Sequence, residues 1–82
     1  MQRSLQLRQA VARVIGAAFA AGAASISGQK ITAVVQQRGN AVEHRAVLLT
    51  LEALELLSCV RLAKTYQENV VTDIYPDLAD FL

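Results

Sequence analysis

The sequence predicts a mainly α-helical fold with a small β-hairpin, and three observations carry that reading. Val47, Leu51, Leu54 and Leu57 recur at helical spacing, which marks an amphipathic helix. After Ser58, the run Cys59-Val60-Arg61-Leu62-Ala63-Lys64-Thr65-Tyr66 reads with period two. A second strand-like run, Val70-Val71-Thr72-Asp73-Ile74-Tyr75, is closed by Pro76. A 3.6-residue period passing into a two-residue period is a helix handing the chain to a hairpin. The competing arrangement is an all-α helical hairpin in which one helix runs from Asn40 to about Asn69. Cys59, Leu62, Tyr66 and Val70 are acceptable neighbours in that helix too.

The elements follow in order within a single domain, 1–82. A first helix is expected over 5–24, with Leu7, Val11, Ile15, Ala18, Phe19 and Gly22 on one face. Its alanines favour helix, while Gly16 and Gly22 weaken it or admit a close neighbour. Residues 27–58 form a pair of helices. Ser25 or Ser27 can cap the first of the pair, Gly28 to Arg38, whose Ile31, Val34 and Val35 lie at i, i+3 and i+4. Gly39 should end it in the left-handed region, and Asn40 should cap the next helix, Ala41 to Leu57, with Glu43 three residues on. The hairpin takes 59–75, with its turn near Gln67-Glu68-Asn69. An acidic tail, 76–82, can lay Leu78, Phe81 and Leu82 against the domain.

An 82-residue chain buries proportionally little surface, yet 54% of it is hydrophobic, mostly Ala, Val and Leu. Such a chain is expected to share its apolar surface with a partner, either a second copy or a different protein. Charge is divided unevenly. Residues 1–45 hold Arg3, Arg8, Arg13, Lys30, Arg38 and Arg45 against Glu43 alone, while the remainder holds six carboxylates against Arg61 and Lys64. A basic half suits phosphate, an acidic protein, or the acidic half of a second copy.

Over residues 27–76 the chain resembles the winged helix-turn-helix family. The resemblance is carried by Val47-x3-Leu51-x2-Leu54-x2-Leu57-Ser58-Cys59-Val60, similar to the end of that family's third helix running into its first wing strand. The family usually has Gly where Ser58 stands, and its wing is often more basic than Arg61 and Lys64 make this one. The resemblance implies a three-helix winged domain that regulates transcription by binding DNA, frequently as a dimer. A minority of the family is adapted to protein contacts instead.

The third helix fits a DNA reader poorly. With Val47, Leu51, Leu54 and Leu57 inward, Val42, Ala46, Leu49, Ala53 and Leu56 form a second, apolar stripe. Base edges are read by groups such as Arg, Lys, Asn and Gln. The stripe therefore marks a candidate protein interface, to which Val11, Ile15 and Phe19 of the first helix are added as a homodimer face. The candidate nucleic-acid residues are Lys30, Arg38, Arg45, Arg61 and Lys64. Arg38 and Arg45 flank the turn between the paired helices, where phosphates would lie.

Catalytic chemistry is not expected. Gly22-x5-Gly28-Gln29-Lys30 fails as a phosphate-binding loop, because Ser27 stands where a second glycine belongs and Lys30 comes one residue late. His44 and Cys59, each the sole residue of its kind, make no metal set, and His44 is expected on the solvated start of the third helix. No cofactor is expected. Val14 to Ser25, after a basic start, resembles a secretory leader. Arg8 and Arg13 nonetheless leave an apolar stretch far below the ~20 residues of a membrane span. A cytoplasmic protein without membrane contact is expected, and the lone cysteine suits a reducing compartment.

Overall fold

A computed structural model describes residues 2–66 and 68–82, with the backbone alone for Gln2 and Arg3. It is a small α+β domain. The order is α1 (Gln2–Ala20), β1 (Ile26–Ser27), α2 (Gly28–Gln37), α3 (His44–Leu56), β2 (Val60–Lys64), β3 (Asn69–Ile74) and a terminal 3₁₀ helix (Pro76–Phe81). No helix is long and apolar enough to cross a membrane among the described residues.

Three helices stop in the same way. In each, the residue after the C-cap has positive φ, at Gly22 (+96°), Gly39 (+93°) and Ser58 (+61°). The next amide then bonds back over five residues, Ala23 N–H to Ala18 O, Asn40 N–H to Val35 O and Cys59 N–H to Leu54 O. This is the Schellman ending, which satisfies carbonyls that the helix leaves open. At Ser58 it has a second consequence. The backbone turns out of the helical path, so the all-helical alternative fails here and the chain enters β2. Cys59 and Leu54 are both fully buried, supplying the apolar contact that accompanies this motif.

The sheet is antiparallel with order β1-β3-β2. Arg61 pairs with Asp73 and Leu62 with Val71, so Thr72 is an extra residue and forms a bulge on β3. Thr65 and Glu68 close the loop between the strands, Thr65 N–H donating to Glu68 O at 2.8 Å. Of the turn expected at 67–69, Gln67 lies outside the described residues. The two-residue β1 is an addition to the expected elements. It pairs Ile26 with Val71 and Ser27 with Val70, joining the start of α2 to the last strand.

The core lies between the helices and one face of the sheet. α1 gives it Val11, Ala12, Val14 and Ile15, α2 gives Ile31 and Val35, and α3 gives Val47, Leu51 and Leu54. Val60 and Val71 come from the sheet and Leu78 from the terminal 3₁₀ helix. Val11 and Ile15 are 0% exposed, which corrects their assignment to a dimer face. Burying such a side chain is worth roughly 1.5–3 kcal/mol, and a domain this small uses α1 as a core helix. Phe19 packs half-buried at the core's edge.

Candidate nucleic-acid and protein interfaces

α2 begins where the sequence places a cap. Ser27 Oγ accepts from Lys30 N–H at 3.1 Å, satisfying one of the open amides of the first turn. Gly28 is buried, and a Cβ there would stand 2.9 Å from Leu48 Cδ2 and 3.3 Å from Asn69 O. The missing side chain lets α3 and β3 close on the start of α2.

The connection from α2 to α3 is longer than a Gly-Asn turn. It runs from Arg38 to Glu43, and α3 starts at His44 rather than Ala41. Asn40 serves the preceding helix, donating from Nδ2 to Val35 O at 3.3 Å. Glu43 occupies the N-cap of α3 without a side-chain cap bond. Gln36 Nε2 donates to Val42 O at 2.8 Å and holds the connection against α2. Val42 thus lies before α3, not on it.

A polar chain ties the two helices together. The Thr32 hydroxyl donates to Gly28 O at 2.8 Å and lies 3.0 Å from His44 Nδ1. The hydroxyl thus bridges Gly28 O and the His44 ring, the tautomer of the imidazole setting which partner donates in the second bond. His44 is half-buried, which corrects the solvated placement expected for it. Its distance from Thr32 in sequence hides the contact, since only the pairing of α2 with α3 creates it.

The outward face of α3 is now defined. Arg45 is exposed, Leu49 is 55% and Leu56 86% exposed, and Glu52 is half-buried between them. Ala46 and Ala53 are half-buried along one flank. With Leu49, Thr50 and, from α1, Ser4, Leu7 and Arg8, they line a depression of about 270 Å³. A neighbouring depression of about 400 Å³ lies between Gln6 and Leu7 of α1 and the segment Asn40–Val42.

The expected cations are all exposed, but they do not form one cluster. Arg38 is the C-cap of α2 and Arg45 lies in the first turn of α3, so they stand at the two ends of the connection. Lys30 lies about 12 Å back along α2. Arg61 and Lys64 are on β2, separated from β1 by β3. Arg13 of α1 joins them only in the folded chain, because no sequence pattern links it to the connection. It lines a depression of about 230 Å³ with Ala10, Val35, Arg38 and Asn40. Two guanidinium-bearing residues from separate helices thus share a hollow whose lining contains no carboxylate.

Cys59 is buried at the α3–β2 junction, its Sγ 3.7 Å from Leu57 O. Burial pushes its thiol above the ordinary range, and the charges of Asp77 and Asp80 push the same way. A thiol held protonated is a poor nucleophile. Among the described residues no group of three or more His, Cys, Asp or Glu side chains could hold a metal ion.

No protein-family model matches this chain. Nor does any curated protein or any solved structure.

Proposed function

We propose that this chain is a winged-helix-type regulatory protein that acts as a dimer and associates with DNA through its basic residues, without catalysing a reaction. The order of a helix pair followed by a hairpin, α2-α3-β2-β3, supports the winged-helix reading. The observation that carries the DNA contact is the hollow shared by Arg13 and Arg38, close to the α2–α3 connection. Guanidinium groups so placed suit phosphate oxygens, which fix a protein on a duplex without reading its sequence. Arg45, Lys30, Arg61 and Lys64, exposed elsewhere on the surface, are the remaining candidate phosphate contacts. Gel shifts over a salt series test this. Arg13→Ala with Arg38→Ala should weaken binding to all duplexes and lower the salt slope by about one for each phosphate no longer neutralised. No shift at the lowest salt, or undiminished binding by the double variant, overturns the DNA contact.

A second reading is a protein-binding adaptor on the same scaffold that never touches DNA. The exposure of Leu49 and Leu56 on α3 favours it, because groups that read bases are polar. It predicts no salt-dependent shift with any duplex, together with loss of partner association on Leu56→Asp.

A further inference from the structure

We infer that the outward face of α3 is self-complementary and pairs antiparallel with α3 of a second copy. This deepens the dimeric state proposed above and rests on it, and it leaves the hollow of Arg13 and Arg38 free for the DNA contact.

The face has a basic end, an apolar centre and an acidic end. Arg45 precedes the exposed Leu49 by four residues, and Glu52 follows it by three. All three share one side of the helix. Arg45 and Glu52 stand about 10.5 Å apart along the axis, too far to neutralise one another within one chain. A twofold axis through Leu49, perpendicular to the helix, removes that mismatch. Leu49 then meets Leu49 of the second copy, and Arg45 comes alongside Glu52 of the second copy, twice by symmetry.

The flanks agree with the same operation. Ala46 and Ala53 lie together on the opposite side of Leu49 from Arg45 and Glu52, and the axis brings Ala46 against Ala53 of the second copy. These small residues floor the depression whose wall is Ser4, Leu7 and Arg8 of α1, so α1 borders the seam on that side. Leu56, about 10.5 Å beyond Leu49, falls past the start of the other α3. The segment before that start lines a depression of mixed character, with Gln6 and Asn40 beside Leu7, Ala41 and Val42. In this arrangement Arg45 is engaged by Glu52, and phosphate contact falls to the remaining cations.

The charge pairing commits the face to a second copy rather than to an unrelated helix. Light scattering on the intact chain across a concentration series tests it. The wild type should be a dimer. Leu49→Asp should weaken the dimer by about 100-fold or more with the circular dichroism spectrum unchanged. Arg45→Glu and Glu52→Arg should each weaken it about 10-fold, and the double reversal should restore it to within about 3-fold of wild type. A monomer at every concentration overturns the inference and leaves the face to a different protein. A dimer that survives Leu49→Asp, or charge reversals without mutual rescue, also overturns it. The DNA contact is scored separately, by the Arg13 and Arg38 variants.

Discussion

Glu55 of α3 reaches Leu62 of β2, its Oε2 accepting the Leu62 backbone N–H at 3.1 Å. The bond sits beside the register shift between Arg61 and Leu62, where the extra residue Thr72 interrupts the ladder. A carboxylate from the helix thus supplies an acceptor where the β2–β3 ladder shifts register.

Glu55→Ala should therefore lower stability by about 1.5–3 kcal/mol, the range for a hydrogen bond to a charged group. Glu55→Gln keeps an acceptor oxygen and should recover most of the loss. Urea midpoints of the three proteins check this, and equal midpoints for wild type and Glu55→Ala would show that Glu55 does not support the hairpin.

Ser58 holds φ at +61° without glycine's freedom. The left-handed region costs an ordinary L-residue about 1–2 kcal/mol. Ser58→Gly relieves that strain but adds freedom to the unfolded chain, which offsets part of the gain. The expected result is a net stabilisation of about 0.5–1 kcal/mol, raising Tm by several degrees in a domain of this size. A lower Tm would show that the serine contributes something its backbone angle does not reveal.

Cys59 gives a pH dependence whose sign is fixed. Its folded-state pKa is raised, so the fold favours the protonated thiol. That stability is fully present below the unfolded thiol's pKa of about 8.5 and is lost as pH rises through the folded value. Denaturant midpoints measured from neutral to alkaline pH should fall more steeply for wild type than for Cys59→Ala. Parallel curves would assign the alkaline loss to other groups.

Much of the fold can be traced to particular residues in the sequence. The spacing of Val47, Leu51 and Leu54 matches their full burial, but Leu57, expected inward with them, is the C-cap of α3 and stands 46% exposed. Ser27 and Gly39 act as the cap and stop that their chemistry suggests. The change of period falls where Ser58 turns the backbone. β1 leaves no trace in the sequence because two residues show no period. The start of α3 is ambiguous because Asn40 fits both the end of one helix and the start of the next, and local sequence does not choose between them. Val11 and Ile15 read equally well as core or as interface, since helical spacing shows that a face is buried but not what covers it. The hollow of Arg13 and Arg38, like the link from Thr32 to His44, depends on how helices distant in sequence lie together.

The two pairs of β1 with β3, Ile26 with Val71 and Ser27 with Val70, fasten residues 26–71 as a loop at its neck. α2, the connection and α3 all lie inside it, so the cations at Arg38 and Arg45 and the leucines at 49 and 56 share one closure. Local fraying of a terminus leaves that closure intact, and the packing of α1 on α2 and α3 holds the same segment from the other side. Two residues of strand, too few to detect in the sequence, thereby close the segment that carries Arg38, Arg45, Leu49 and Leu56.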